Sequence, residues 1–235
     1  LKIGKNTRLG GEDIKVGQVL FDKGHLICPT DLAVLASVGV SELNVFAPLR
    51  VGVLSTGDEL WEPGQDIQKG EIYDANRHML LSQVENIGCP TVDFGIVADD
   101  ASALRSSLDE ASTNCDVLLT TGGASSGDED HISALLRSEG SLSMWRIAVK
   151  PGRPMAMGLW KGLPVFGLPG NPVAAFVCTL VFAQPALRQL AGGYWRRAEG
   201  YMVPAAFSKL KKPGRYEYLR ARLVDGRAEV FASEG

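Results

Sequence analysis

The stretch Asp-Val-Leu-Leu-Thr-Thr-Gly-Gly-Ala-Ser-Ser-Gly-Asp-Glu-Asp at residues 116–130 decides the fold. Its first part, residues 116–120, is an apolar run of the kind that is buried on both faces of a parallel sheet. A Gly- and Ser-rich turn follows at residues 122–127, and Asp128 stands where the cap of a helix is expected. The stretch therefore predicts a strand, a tight turn and a helix in direct succession.

The same alternation continues on both sides of this unit. Apolar patterns predict strands at residues 50–55, 92–97, 145–149, 155–159 and 165–168. Helical periodicity predicts helices at residues 76–87, after Asp100, after Asp128 and at residues 172–191, the last with a kink at Pro185. Repeated strand–helix–strand units predict an α/β fold in three layers, a mostly parallel sheet with helices on both faces.

Composition divides the chain into residues 1–48, 49–193 and 194–235. The first zone is mixed and ends in an amphipathic helix with Thr30 as the expected N-cap and Leu32, Leu35 and Val38 on its apolar side. The second zone holds the alternating strands and helices. The third has short strand-like runs at residues 201–205 and 218–224 and predicts a partial β domain, with the basic run at residues 209–215 as a solvated face.

Composition also excludes several classes of protein. The 235 residues carry a net charge of -3, so no excess of positive charge draws the chain to nucleic acid. The longest apolar run, residues 173–183, is shorter than the ~20 residues that span a bilayer, so it predicts a buried helix and no membrane association. No secretory signal is expected at the start of the chain.

The cysteines indicate where the protein works. They lie far apart and lack the spacing of a disulfide framework or a zinc site. The four residues are Cys28, Cys89, Cys115 and Cys178. We expect buried, reduced thiols and a cytoplasmic location.

Ligands in such sheets bind outside the carboxyl ends of the strands. In the 122–127 turn, glycines allow backbone N–H groups to approach an anion and serines add donors, which makes it a candidate phosphate site. It is not a Walker A loop, since Asp128 stands where that motif has Lys. The Pro169-Gly170-Asn171-Pro172 turn is a second candidate, with Asn171 as N-cap. Taken alone, each turn is also explained as a capped strand-to-helix connection.

Acidic side chains follow three of the predicted strands. The stretch Thr56-Gly57-Asp58-Glu59 follows the first, Asp99 and Asp100 follow the second, and Asp130 follows the third. Each carboxylate taken alone is explained as a helix cap or a solvated loop residue. Carboxylates gathered at one edge would repel one another without a cation, and Mg²⁺ typically binds one or two carboxylates together with phosphate oxygens.

Basic side chains complete the candidate site. Lys150, Arg153 and Arg146 lie in or after the predicted strand at residues 145–149 and supply positive charge for a phosphorylated or oxyanionic ligand. Acids, amide-rich turns and cations at one sheet edge predict an enzyme that cleaves or transfers a group at phosphorus.

Five motifs in order resemble the molybdopterin molybdenumtransferases, the MoeA-type enzymes related to the gephyrin E domain. They are Ser55-Thr56-Gly57-Asp58-Glu59-Leu60, Tyr73-Asp74-Ala75-Asn76-Arg77, Gly122-Gly123-Ala124-Ser125-Ser126-Gly127-Asp128-Glu129-Asp130, Lys150-Pro151-Gly152-Arg153-Pro154 and Gly167-Leu168-Pro169-Gly170-Asn171-Pro172. The resemblance implies Mg²⁺-dependent insertion of molybdate into adenylylated molybdopterin, with release of AMP.

The resemblance also implies roles for individual residues. The implied catalytic residues are Glu59, Asp99, Asp130, Lys150 and Arg146. Arg146 stands at a position where the family often has Lys. Glu59 and Asp99 would be the metal ligands. Substrate-binding residues would be Thr56, Gly57, Asp58, Gly122, Gly123, Ser125, Ser126, Gly127, Arg153, Pro169, Gly170, Asn171 and Pro172.

On this resemblance the chain is a fragment. Residues 1–48 resemble a remnant of an elongated N-terminal domain, residues 49–193 a molybdopterin-binding domain and residues 194–235 the start of a C-terminal β-barrel, with the family's inserted domain missing. A homodimer is implied, as is contact with the molybdopterin adenylyltransferase. Two alternatives stay open: that adenylyltransferase itself, whose last turn usually has Ser where Asn171 stands, and a non-catalytic gephyrin-like scaffold.

Overall fold

The structure is a computed structural model that describes residues 4–5, 7–122, 131–152, 154–195, 199–211 and 213–231. A six-stranded sheet forms its centre. In spatial order the strands are β4 (Thr91–Val97), β1 (Val51–Thr56), β5 (Val117–Thr121), β9 (Leu163–Leu168), β8 (Pro154–Trp160) and β6 (Ser141–Arg146). The first four are parallel, and β8 and β6 each run antiparallel to the neighbour before them.

Helices cover both faces of this sheet, as predicted. On one face lie α2 (Ala75–Glu85), α5 (Pro172–Cys178) and α6 (Gln184–Leu190), and on the other lie α3 (Ala101–Asn114) and α4 (His131–Ser138). Each face has its own apolar core, one around Val53 and Leu80 and one around Leu54 and Leu108. Every residue of β1 and β5 is buried, which is why these strands show continuous apolar runs.

The α5–α6 segment forms a 19-residue helix, Pro172–Leu190, with a π-helical turn at Thr179–Ala183. The π turn directly precedes the segment that contains Pro185, whose ring has no N–H and crowds the preceding turn. By length and composition the helix is also long enough to cross a membrane, a criterion that core helices of soluble proteins meet as well. Cys178, Ala183 and Leu187 are fully buried in the core.

The predicted strand at residues 145–149 is wrong. β6 begins four residues earlier, at Ser141, and a separate short strand β7 (Val149–Lys150) pairs in parallel with β10 (Tyr216–Glu217). The chain needs this break because β6 and β7 pair with different partners, β8 and β10.

The N-terminal helix departs from the sequence prediction. α1 (Pro29–Ser37) is capped at Cys28 instead of Thr30, because Pro29 takes the first helical position, where its missing N–H costs nothing. Asp31 completes the cap by accepting a hydrogen bond from the Cys28 N–H at 2.8 Å. Leu35 is buried, whereas Leu32 is 56% exposed, so the predicted apolar side is only partly covered.

The remaining elements are short. Residues 57–74, which we call the excursion after β1, contain β2 (Leu60–Trp61) and β3 (Ile72–Tyr73), and these two strands pair in parallel. Near the end of the chain, β11 (Ala221–Val224) and β12 (Arg227–Val230) form an antiparallel pair. The strand predicted at residues 201–205 is reduced to a single bridge at Ala205. Three of the cysteines are buried as predicted, but Cys28 is exposed.

Candidate anion-binding active site

The carboxyl ends of four parallel strands lie in a row along one edge of the sheet. Asp99 follows β4, Gly57 follows β1, Gly122 follows β5 and Pro169 follows β9, and neighbouring strands stand about 4.8 Å apart. β8 is antiparallel to β9 and therefore begins at the same edge, which also brings the segment after Lys150 there. Turns that are more than a hundred residues apart in sequence thus share one edge.

An acidic corner forms where β1 and β4 end. The buried Thr56 donates its hydroxyl to Asp99 Oδ1 at 3.3 Å, and the Asp99 N–H donates to Asp58 Oδ1 at 3.1 Å. The neighbouring Asp100 is the N-cap of α3 and accepts from the Ala103 N–H at 2.8 Å. Because Asp100 takes the capping role, the Asp99 carboxylate faces the loop after β1.

Glu59 folds back over the backbone of Gly57. A side-chain carbon at Gly57 would come within 2.7 Å of Glu59 Oε2, and the φ of Gly57 is 151°. Only glycine therefore permits this approach. The Glu59 carbonyl also accepts from the Ile72 N–H at 2.8 Å, which fixes the residue between the acidic corner and the β2–β3 pair.

A buried arginine holds the excursion after β1 in place. Arg77, whose side chain is 4% exposed, donates to Asp74 at 3.1 Å and also to Asp93 and Glu62. Asp74 is itself buried and caps α2. Glu62 lies in the excursion, Asp93 in β4 and Asp74 at α2, so one guanidinium joins three elements next to Glu59.

The turn after β5 is fixed at its first residue. Gly122 has a φ of 84°, and a side-chain carbon there would lie 2.1 Å from the Thr56 carbonyl oxygen. Any other residue would collide with the end of β1. The other predicted residues of this turn lie outside the described residues, namely Gly123, Ser125, Ser126, Gly127, Asp128 and Asp130.

The turn after β9 has the predicted local structure. Asn171 caps α5 by accepting from the Ala174 N–H at 3.1 Å, and Pro172 is the first helical residue. Pro169 is buried, while Gly170 to Pro172 are exposed. The turn therefore presents its surface to solvent at the carboxyl edge.

Asn76 connects the two turns, a contact that the sequence did not reveal. Its Nδ2 donates to Thr121 Oγ1 at 2.8 Å and to the Gly170 carbonyl at 2.7 Å. Thr121 ends β5 directly before Gly122, and Gly170 follows β9. One buried amide in the first turn of α2 therefore fixes the spacing between the turns after β5 and β9.

The basic side of the site is built with the C-terminal segment. Lys150 Nζ lies 3.1 Å from Glu217 Oε1, and Lys209 Nζ lies 3.0 Å from the same oxygen. Hydrogen bonds from Lys209 and Lys150 lower the pKa of Glu217. Lys209 is exposed, as predicted for the basic run at residues 209–215, and its ammonium also contacts Glu217. Arg220 joins these residues around a cavity of about 140 Å³.

This cavity adjoins the turn after β9. Gly152, two residues beyond Lys150, is packed so closely on α5 that a side-chain carbon would lie 2.3 Å from Cys178 Sγ and 3.8 Å from Pro169. Burial raises the pKa of the Cys178 thiol to about 11, which suits a neutral packing residue. Arg153 and the side chain of Arg146 lie outside the described residues.

Metal-binding capacity at this edge rests on carboxylates. Among the described residues, no group of three His, Cys, Asp or Glu side chains is arranged to hold a metal ion. The oxygen donors of Asp99 and Glu59 nevertheless match the one or two carboxylates that Mg²⁺ takes when phosphate and water supply the rest. The two carboxylates therefore fit a magnesium site whose remaining ligands come from phosphate and water.

A larger cleft of about 960 Å³ lies away from this edge, between the N-terminal segment and the ends of α2 and α6. Its lining is mostly apolar and includes Phe21, Phe46, Ile87 and Tyr194. Because α2 ends just before β4 begins, the cleft lies at the amino-end side of the sheet. Of the predicted site residues that the structure describes, none lines this cleft.

Comparison with known proteins places the chain in a family. Residues 52–189 match a family model described as a probable molybdopterin binding domain. The chain is 37% identical over 220 residues to the molybdopterin molybdenumtransferase of Haemophilus influenzae. The aligned region makes up 93% of this chain and 54% of that protein. Molybdopterin molybdenumtransferase 2 of Mycobacterium tuberculosis is 34% identical over 240 residues, with coverage of 99% and 58%.

A solved structure agrees with this result. The crystal structure of the molybdopterin biosynthesis moeA protein from Pyrococcus horikoshii matches with a TM-score of 0.75 and 29% identity, over 96% of this chain and 54% of that one. The chain thus spans little more than half the length of these relatives. The chain belongs to the family of probable molybdopterin-binding domains, and the relatives that it resembles over nearly its whole length are molybdopterin molybdenumtransferases of the MoeA type.

Proposed function

We propose that the whole protein inserts molybdate into adenylylated molybdopterin and releases AMP, in a step of molybdenum cofactor synthesis that depends on Mg²⁺. The observation that carries this proposal is the order of groups along the carboxyl edge. The acidic corner at Asp58 and Asp99 comes first, the turns at Gly122 and Gly170 are central, and the cationic cavity at Lys150 follows. Such an edge suits a substrate that carries phosphate at its centre and reacts with an oxyanion.

The two turns would bind the phosphorylated substrate. Gly122 at the end of β5 and the start of α5 lie at the same edge of the sheet, and the dipole of a helix favours negative charge at its N-terminus. We assign the substrate-binding role to both turns and to the end of β1. The residues are Thr56, Gly57, Asp58, Gly122, Gly123, Ser125, Ser126, Gly127, Arg153, Pro169, Gly170, Asn171 and Pro172.

Mg²⁺ would be held by Glu59 and Asp99. When bound, it would neutralise negative charge on the phosphate group of the substrate. The Thr56 hydroxyl holds the Asp99 carboxylate in orientation, and Arg77 holds the excursion that carries Glu59. Asp130 is the third acid that we assign to this side of the site.

Molybdate would bind at the basic side. Among the described residues that line this cavity, three side chains are cationic, those of Lys150, Lys209 and Arg220, and Glu217 is the carboxylate that contacts both lysines. Cationic side chains around a small cavity favour a small dianion. Arg146 would add charge from β6. Lys150 would act as the catalytic cation because the Lys150–Gly152 segment adjoins the turn that holds the phosphate.

The cellular setting follows from the same proposal. Buried thiols at Cys89, Cys115 and Cys178 suit a reducing cytoplasm. We further propose a homodimer, and transfer of the adenylylated substrate from the molybdopterin adenylyltransferase that makes it.

Two adjacent aspartates provide a sharp test. In the intact protein, Asp99→Asn should abolish molybdenum insertion, whereas Asp100→Asn should retain it, because asparagine caps a helix as well as aspartate does. Activity is measured as cofactor formed from molybdate, adenylylated molybdopterin and Mg²⁺. Full activity of Asp99→Asn, or equal loss in both variants, would contradict the proposal.

The competing activities need separate readouts. Calorimetric titration with AMP and molybdate, with and without Mg²⁺, distinguishes an enzyme from a scaffold, which should bind neither. Product analysis separates the two enzymes. A molybdenumtransferase releases AMP from adenylylated molybdopterin, whereas an adenylyltransferase forms that compound from a nucleotide.

A further inference from the structure

Asn76 is a buried polar residue whose partners lie on two other elements. Only 8% of its surface is exposed. Its Nδ2 donates both hydrogens, one to Thr121 Oγ1 and one to the Gly170 carbonyl. A carbonyl only accepts hydrogen bonds, so the contact with Gly170 fixes which end of the amide carries the nitrogen. Asn76 thus acts as a double donor between neighbouring strands.

The two acceptors lie where the candidate site needs a fixed spacing. Thr121 is the last residue of β5 and directly precedes Gly122, whose position is set by close contact with Thr56. Gly170 is exposed, and the space where its side chain would begin is empty within 4 Å. The hydrogen bond from Asn76 is therefore a direct contact that holds the Gly170 carbonyl.

The carbonyl oxygen of the Asn76 side chain is in an unfavourable environment. Among the described residues, Asn76 Oδ1 has no hydrogen-bond partner although it is buried. The same holds for Ser55 Oγ, which neighbours Thr121 in register and lies on the same face of the sheet. An unpaired buried carbonyl is unfavourable, so the amide is not explained by local stability alone. Its two donor contacts account for an amide at this place.

We propose that Asn76 is a positioning residue, which holds the turn after β9 at a fixed distance from the turn after β5 so that both contact one phosphate-bearing ligand. This inference rests on the proposed function, because it assumes that the two turns share a ligand. Asn76 need not touch the reacting atoms. It acts through Thr121 and Gly170.

The test replaces the amide by an uncharged group of similar size without the donors. In the intact protein, Asn76→Leu should raise the Kd for AMP and the KM for adenylylated molybdopterin by at least about tenfold, since small misplacements of binding groups have effects of this size. The affinity for molybdate alone should stay within twofold, because Lys150 and Lys209 are held by Glu217 instead. A merely structural role would not separate the two affinities.

Gln83 in the same helix supplies the matched control. Its side-chain amide is also buried, but neither end has a described hydrogen-bond partner. Gln83→Met removes an amide from α2 at similar volume and should leave both affinities unchanged. If Asn76→Leu fails to fold, Thr121→Val removes one of the two contacts without changing shape and should raise the Kd for AMP by about threefold or more, which corresponds to one weak hydrogen bond.

The outcomes separate this inference from the proposed function. If the wild type binds AMP and Asn76→Leu binds it equally well, the positioning role is wrong while the proposed function stands. Parallel losses of AMP and molybdate affinity in Asn76→Leu would also overturn the positioning role. If the wild type binds neither ligand, the proposed function fails first.

Discussion

The carboxylate of Glu217 lies 3.1 Å from the ammonium of Lys150, for which the family resemblance implies a catalytic role. The contact exists because β10 pairs in parallel with β7 and thereby brings the C-terminal segment to the edge of the central sheet. Lys209 contacts the same carboxylate oxygen. The basic side of the site is therefore shared between the central and the C-terminal parts of the chain.

Removal of the Glu217 charge should strengthen oxyanion binding. In Glu217→Gln, a negative charge that partly offsets Lys150 and Lys209 is lost, so the cavity becomes more positive. We expect molybdate to bind about three- to tenfold more tightly, the size of a screened interaction between nearby charges. Isothermal titration at low and high salt measures the change, which salt should reduce.

Glu229 provides the control for this substitution. It pairs with Arg222 within the β11–β12 pair and does not itself line the cavity. Glu229→Gln alters the net charge equally and should leave the affinity for molybdate unchanged. Weaker binding in Glu217→Gln would mean that the carboxylate mainly orders the lysines.

Gly122→Ala should destabilise the protein through a collision at the end of β1. The substitution combines a left-handed φ with a side-chain carbon 2.1 Å from the Thr56 carbonyl oxygen, and we expect a loss of at least about 3 kcal/mol in the free energy of unfolding. Gly162→Ala has a similar φ but open space, so it should lose only about 1–2 kcal/mol. Equal losses in urea unfolding would show that the turn after β5 tolerates a side chain.

Arg77→Met should release the excursion that carries Glu59. The variant leaves the buried Asp74 without its cationic partner, so we expect a loss of about 3 kcal/mol in the free energy of unfolding and faster proteolysis within residues 57–74. Adding Asp74→Asn should restore part of the stability. Arg105→Met, which breaks the exposed pair with Glu139, should have a much smaller effect. An equally mild effect of Arg77→Met would contradict the linking role.

The Asp116–Arg50 pair predicts a pH dependence of stability. Hydrogen bonds from the Arg50 side chain, and then from its backbone N–H, lower the pKa of Asp116 below 3.8. Asp116 therefore contributes stability that is present above about pH 4, the pKa of an unfolded aspartate, and is lost as the pH falls through its lower folded pKa. The gap in unfolding free energy between wild type and Asp116→Asn should be constant near neutrality and narrow below pH 4. A gap that widens in acid would contradict the assignment.

Features set by local pattern could be predicted from the sequence. The apolar runs of β1 and β5 are buried on both faces, and residues such as Asn171 and Asp100 cap the helices that follow them. The predicted N-cap at Thr30 was wrong because Pro29 occupies the first helical position, so Cys28 is the N-cap. The convergence of the strand ends at one edge followed from the predicted parallel sheet.

Features that depend on distant partners could not be predicted. Asn76 contacts residues 45 and 94 positions away, and nothing in its helix distinguishes it from a surface amide. Glu217 lies in a short strand whose pairing with β7 has no local signature. The same pairing split the predicted strand at residues 145–149, because β6 and β7 have different partners.

A crystal structure of the intact protein soaked with AMP and tungstate, a heavy analogue of molybdate, tests the shared anion site most directly. We predict the AMP phosphate between the turns at Gly122 and Gly170, and an anomalous tungsten peak in the cavity beside Lys150 and Lys209. Both ligands in the apolar cleft near Phe46 and Tyr194, or a tungsten peak remote from Lys150, would contradict a common site at the carboxyl edge of the sheet.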